Sequence, residues 1–348
     1  MRWLSLLFAV ASLDAQVPAP PPAPAEAITD VPMHDPVMYR QDGMYYIFAT
    51  GPGVVVWSSP DRVHWTREKP VFAAPPAWTV QAVPTFKGNF WAPDISFFNG
   101  QYYLFYAISA FGKNTSCIGV ATNATLDPRA PGFRWVDHGK VLQSVPGVTN
   151  WNAIDPNIAV ADDGTAYMTF GSFWEGIKLV KLAPDRFAVA EPLDHLPTLA
   201  SRMKDPSASN PPATAGNPVD AGGNAIEAPF IFRHGAYYCL FASIDYCCRG
   251  PKSNYKMIVG RATEIPGPYV DEAGVPLARG GGTILLAGDS KWYGVGHNGA
   301  NTFDGVDYIV FHGYDASDPR GRSKLRIERL SWTAGGWPRV EVAGGTAQ

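Results

Sequence analysis

The stretch that decides the fold is Asn99-Gly100-Gln101-Tyr102-Tyr103-Leu104-Phe105. A polar residue followed by glycine is the signal of a tight hairpin turn. The run behind it is aromatic and apolar with no polar alternation, which reads as a strand covered on both faces. The phrase recurs as Asp42-Gly43-Met44-Tyr45-Tyr46-Ile47-Phe48, as Asp163-Gly164-Thr165-Ala166-Tyr167-Met168-Thr169-Phe170, as His234-Gly235-Ala236-Tyr237-Tyr238-Cys239-Leu240-Phe241 and as Asp304-Gly305-Val306-Asp307-Tyr308-Ile309-Val310-Phe311. Successive turns lie 57, 64, 71 and 70 residues apart. One four-stranded sheet cannot cover both of its faces, whereas stacked sheets closed into a ring can. The repeat therefore predicts an all-β chain, a five-bladed β-propeller over residues 31–348. A β-sandwich would also show regular turns, but it gives no reason for an acid to precede each turn at a similar distance.

Those acids are Asp35, Asp94, Asp155 and Glu227, with His297 in the corresponding place ahead of the fifth turn. The prolines after Asp35 and Asp155 are expected to hold each acid extended. Innermost strands line a propeller's channel, so residues at their starts converge although they are far apart in sequence. Crowded carboxylates push one pKa up and leave others ionised, which separates an acid from a base. Glycoside hydrolysis needs that pair. A strand-entry Asp can instead cap a turn or pair with an Arg, and Asp94 is read in that supporting role. A lone His such as His297 is commonly a satisfied core residue.

The chain has 348 residues, 46% of them apolar and 17% charged, with a formal net charge of −3. Five units account for nearly all of it and leave no room for a second domain. No basic stripe suggests nucleic acid. The 13% aromatic content, 35 glycines and 32 prolines suit many short strands and argue against long helices. The N-terminus joins Met1-Arg2 to an apolar stretch from Trp3 to Ala11 and a small residue at Ala15, the three parts of a secretory signal peptide over residues 1–15. Residues 16–30 read as an extended Pro/Ala-rich linker. No later stretch is long and apolar enough for a transmembrane helix, so the expectation is a secreted monomer without membrane partners. Cys117 and Cys239 lie in strand-like runs. Adjacent Cys247 and Cys248 either form a vicinal bridge or stay free and buried, and the buried reading is favoured.

Seven stretches taken together resemble glycoside hydrolase family 43 and, within it, the endo-α-1,5-L-arabinanases. They are His34-Asp35-Pro36, Phe90-Trp91-Ala92-Pro93-Asp94, Phe111-Gly112-Lys113-Asn114-Thr115-Ser116, Asn152-Ala153-Ile154-Asp155-Pro156, Gly171-Ser172-Phe173-Trp174, Glu227-Ala228-Pro229 and Asp245-Tyr246-Cys247-Cys248-Arg249-Gly250. The resemblance implies an inverting hydrolase of arabinan. Asp35 would be the general base and Glu227 the general acid, with Asp155 staying ionised to raise the pKa of Glu227. The resemblance also places Trp91, Phe111, Gly112, Asn152, Ala153, Ile154, Ser172, Phe173 and Trp174 against the sugar, and His297 beside one calcium or other ion near the axis, with no organic cofactor. Exo-acting arabinofuranosidases and xylosidases of the same family, and a non-catalytic carbohydrate-binding propeller, are the alternatives.

Overall fold

The computed structural model describes residues 30–202 and 223–342. The expected signal peptide, the expected linker apart from Asp30, and most of the loop expected over residues 201–224 lie outside the described residues. Five antiparallel sheets follow one another along the chain, each with its strands in sequence order. The first blade holds Val37–Gln41, Met44–Ala49, Val55–Ser59 and Thr66–Arg67. The second holds Asn89–Phe98, Gln101–Ile108, Ser116–Asn123 and Val136–Ser144, extended at one edge by Gly51–Pro52. The third is Asn157–Val160, Ala166–Phe170, Ile177–Lys181 and Thr198–Ala200. The fourth is Ile226–His234, Tyr237–Ile244, Lys256–Ala262 and Thr283–Leu286. Trp292–Phe303, Val306–Asp315, Ser323–Trp332 and Pro338–Glu341 make the fifth. This is the five-bladed propeller that the repeat predicts.

The apolar runs explain themselves in the packing. Side chains of a strand alternate between its two faces. In the first blade Tyr46 and Phe48 join a core cluster with Tyr102, Leu104 and Tyr106 of the second. Their neighbours Tyr45 and Ile47 pack with Phe303, Tyr308 and Val310 of the fifth. Tyr103 and Phe105 turn the other way, onto Met168 and Phe170 of the third blade. Clusters built on Leu179 with Leu240, and on Phe241 with Phe311, fill the last two interfaces. The core is thus five layers between blades. The ring closes where Met33 N–H donates to the Ser323 carbonyl (3.1 Å) and Leu325 N–H to that of Val31 (3.0 Å).

Three of the five turns are the expected two-residue loops: Asp42-Gly43, Asn99-Gly100 and Asp304-Gly305, with both residues at positive φ. The other two differ. Val160 pairs with Ala166 around a longer loop closed by Ala161 N–H on Thr165 O. In the fourth blade His234 pairs with Tyr237, which moves the loop to Gly235-Ala236.

Asp94 braces the ring, as its supporting role anticipated. Its Oδ2 accepts the Ile158 N–H of the next blade at 2.8 Å, and Asn157 Oδ1 does the same one blade on, with Ile231 N–H at 2.8 Å. Burial pushes the Asp94 carboxyl up to about 7, so below neutrality it mostly carries a proton, with one donor and one acceptor like an amide. Because 7 exceeds its ordinary value of 3.8, its contribution to stability is intact below about pH 4 and declines as pH rises to 7. Asp94→Asn keeps the brace without that loss. Its free energy of unfolding relative to wild type, from denaturant titration, should therefore rise between pH 5 and pH 8 by about 1–3 kcal/mol. Equal differences at both pH values would contradict the assignment.

Candidate active site

All five innermost segments carry the same kink, within the strand in the second, fourth and fifth blades and two residues ahead of it in the first and third. Asp35, Ala92, Asp155, Ala228 and His297 stand at φ of 49°, 40°, 56°, 55° and 54°. The acids before proline are therefore left-handed and not extended. Proline disfavours only the right-handed helical region for its predecessor, and a left-handed residue turns the chain into the strand. The kink lies inside a bulge where Trp91 pairs with Ala107, Glu227 with Ser243 and Gly296 with His312. These registers refine the alignment of the acids. Asp35, Asp155 and His297 share the kinked position, Glu227 sits one residue earlier, in the place of His34, and Asp94 two residues later. Asp35, Asp155, Glu227 and His297 nevertheless line one cavity of about 910 Å³, while Asp94 stays in the wall between blades.

Asp35 is held from three sides. Thr50 Oγ1 donates to its Oδ2 at 2.5 Å, His34 Nδ1 is 2.9 Å from Oδ2 and His297 Nδ1 is 3.0 Å from Oδ1. Burial alone would raise its pKa, but the pull of His297 and His34 outweighs this and holds it well below the usual carboxylate range. His297 shows the reciprocal effect. Burial opposes its charge, yet Asp35, Asp155 and Glu227 push it up to about 9, so it is an imidazolium at neutral pH. Beneath them His312 is fully buried, and its pKa is lowered by burial and by His34.

Glu227 receives two hydroxyls, Tyr255 Oη on Oε1 at 2.8 Å and Ser172 Oγ on Oε2 at 2.7 Å. Asp155 Oδ2 accepts the Ala228 N–H at 3.0 Å, which links it to the residue beside Glu227. Asp155 is 5% exposed. Burial and the charges of Glu227 and Asp35 push it up to about 8. This differs from the expectation that Asp155 stays ionised. Three carboxylates face one imidazolium, so one acid group keeps a proton, and burial places it on Asp155.

Of the expected sugar contacts, Trp91, Phe111, Gly112, Asn152, Ile154, Ser172, Phe173 and Trp174 line the cavity. Ala153 does not: it is fully buried and its N–H donates to Ser144 Oγ. Phe111 is 80% exposed and offers an open stacking face, whereas Trp174 at 3% presents little more than an edge. Asn152 Oδ1 is buried without a hydrogen-bond partner among the described residues. The residues that sequence reasoning missed are Thr50, Tyr255, His312 and Tyr314. Thr50 follows the second strand of the first blade, Tyr255 precedes the third strand of the fourth, and His312 and Tyr314 lie on the second strand of the fifth, all places where the reading saw only core. His34 was quoted in a motif without a role, although it precedes an acid as Ile154 does.

Cys247 and Cys248 form a disulfide, correcting the favoured expectation of free thiols, and both line the cavity. Cys117 and Cys239 are free and buried. For calcium the donor set fits poorly. The ion takes about six to eight oxygens, and among the described residues no group of three metal-ligating side chains includes His297.

A ring of five sheets whose channel gathers a charge-held carboxylate and a hydroxyl-bonded glutamic acid is the arrangement of a glycoside hydrolase. The chain belongs to glycosyl hydrolases family 43, whose profile matches residues 26–338. It is 46% identical over 314 residues to an extracellular exo-α-(1→5)-L-arabinofuranosidase of Cellvibrio japonicus, covering 89% of this chain and 87% of that one. It is 38% identical over 341 residues to an extracellular endo-α-(1→5)-L-arabinanase of Bacillus subtilis, covering 96% of each. The solved structure of Cellvibrio cellulosa α-L-arabinanase complexed with arabinohexaose superposes with a TM-score of 0.84 at 46% identity, over 89% of this chain and 96% of that one.

The two hydroxyls on Glu227 make separable contributions. Tyr255→Phe removes the donor to Oε1 and leaves the buried ring in place. Steady-state kinetics should show kcat down about tenfold with KM little changed. An unaltered kcat would show that this hydrogen bond does nothing for the reaction.

Proposed function

We propose that this hydrolase cleaves α-1,5-L-arabinofuranosidic bonds of arabinan with inversion, and that Asp35, Asp155 and Glu227 carry the reaction. The observation that carries the reading is that three blades deliver these carboxyl groups to one sugar-sized cavity with exposed and edge-on aromatic faces. Asp35 is the base. Its ionised carboxylate accepts the proton of the attacking water, and Thr50, His34 and His297 keep it aimed and charged. Glu227 is the acid. Less buried than Asp35 and Asp155, it protonates the leaving oxygen with the proton that the Asp155–Glu227 pair holds. Ser172 and Tyr255 fix the direction of its carboxyl, and each hydroxyl oxygen can accept as well as donate when Glu227 is protonated. An inverting pair needs room for water, with carboxyl groups roughly 6.5–9.5 Å apart. A calcium near His297 would take most of its ligands from water, and no step is assigned to it.

The endo mode is the expectation from the sequence, and the endo-acting relative at 38% identity supports it. The exo mode is favoured by relatives named exo-acting at 46% and 45% identity. Relatives named extracellular support a secreted enzyme, and no helix among the described residues is long and apolar enough to cross a membrane.

Glu227→Gln and Asp35→Asn should each lose about 10²–10⁴-fold in kcat on linear arabinan; near-wild-type turnover of either rejects its role. Proton NMR of the first-formed sugar should show the β-anomer, and the product series separates a ladder of oligomers from a single small product. The proton of the Asp155–Glu227 pair leaves near pH 8, so the rate should fall above that pH. Asp155→Asn takes away the group that shares this proton with Glu227 and should move this alkaline limb to lower pH. An unmoved limb contradicts the coupling.

A further inference from the structure

The loop from Asp245 to Gly250 forms one wall of the cavity, and no step above uses it. Cys248 within it is bridged to Cys247 and stands left-handed at φ 66°. Its backbone reaches the centre of the site through hydrogen bonds whose directions can be worked out. Asp35 N–H donates to His312 Nδ1 at 3.1 Å, so that nitrogen carries no proton. The proton of neutral His312 is then on Nε2, 3.2 Å from Tyr314 Oη, to which it donates. Cys248 N–H donates to the same oxygen at 2.8 Å. Both lone pairs of the phenol are now occupied, and its own proton goes to its remaining close partner, His34 Nε2, at 3.0 Å. A ring whose Nε2 accepts must carry its proton on Nδ1, the atom 2.9 Å from Asp35 Oδ2.

We propose that the Cys247–Cys248 disulfide is a positioning device for Asp35. By fixing the Cys248 N–H on Tyr314 it sets the tautomer of His34, and with it the Nδ1–H that stands 2.9 Å from Asp35 Oδ2 and holds the carboxylate by electrostatic contact, without the alignment of a hydrogen bond. This rests on the reading of Asp35 as the base. Reduction by a trialkylphosphine breaks the S–S bond with two electrons from phosphorus. Water supplies two protons to the thiols and its oxygen to the phosphine oxide. Cys248 Sγ, 3.6 Å from His34 Nε2 and 3.9 Å from Tyr314 Oη, then becomes a free thiol that can accept the phenol proton, so that Tyr314 is no longer committed to donating to His34. The left-handed backbone at Cys248, no longer closed into a ring, is free to swing its N–H away.

The test compares the oxidised protein with protein reduced by tris(2-carboxyethyl)phosphine. On linear arabinan, reduction should lower kcat roughly tenfold with KM changed less than about twofold. Cys248→Ser should show the reduced level and ignore the phosphine, which controls for Cys117 and Cys239. Tyr314→Phe should likewise start low and respond no further. Nitrogen-15 shifts of the His34 ring should report a bare Nε2 in the oxidised protein and a mixture of tautomers after reduction, a readout that needs no turnover. An unchanged kcat, a rise in KM alone, a full response in Tyr314→Phe, or one tautomer in both redox states overturns the proposal. If Tyr314→Phe does not fold, the wild-type spectra decide. An active Asp35→Asn removes Asp35 as the base, whereas an inactive one with a redox-insensitive kcat removes only the relay.

Discussion

Tyr46 and Phe48 pack on one neighbouring blade while Tyr45 and Ile47 pack on the other. A strand that is apolar on both faces is stable only between two sheets, and five such strands in a chain of this length leave a closed ring as the way to cover them all. The ring brings residues from distant parts of the chain to one axis. It also sustains a costly backbone there. Five left-handed non-glycine residues cost on the order of 5–10 kcal/mol together, and a single fully buried Phe or Leu side chain offsets about 1.5–3 kcal/mol. Each interface buries several of these, so the blades can hold the kinks without losing the fold.

The blade count could be read from the sequence because the aromatic run is local: turn, strand and two-sided burial sit within seven or eight residues. The acids could be read for the same reason, each lying at a similar distance ahead of its turn. What could not be read is the offset of one or two residues among Asp35, Asp94 and Glu227, because a bulge adds length without changing composition. Counting back from the turn therefore placed Asp94 with the others, although the register puts it between blades. Thr50, Tyr255, His312 and Tyr314 were hidden for another reason. Thr50 and Tyr255 stand just outside strand ends and His312 and Tyr314 within a second strand, so nothing in their neighbours distinguishes them from core. The Cys247–Cys248 bridge depends on a turn whose shape the adjacent residues do not encode.

The electrostatics of the cavity follow from a mismatch of charge. Asp35 has His34 and His297 against its oxygens and is held ionised, which leaves Asp155 and Glu227 to compete for a proton with only the charge of His297 set against burial. The backbone N–H of Ala228 favours the Asp155 anion, but burial is the larger effect. One fold can thus keep a charged base and a protonated acid group in a single hollow without any residue of unusual chemistry.

The kinked position is occupied by Asp35, Asp155 and His297 in three blades and by Ala92 and Ala228 in the other two. The architecture supplies five equivalent sockets around a shared rim, two of them plugged with a methyl group. Neither alanine lines the cavity and both are buried, so the ring repeats the backbone of the site in every blade but opens it to the hollow in three.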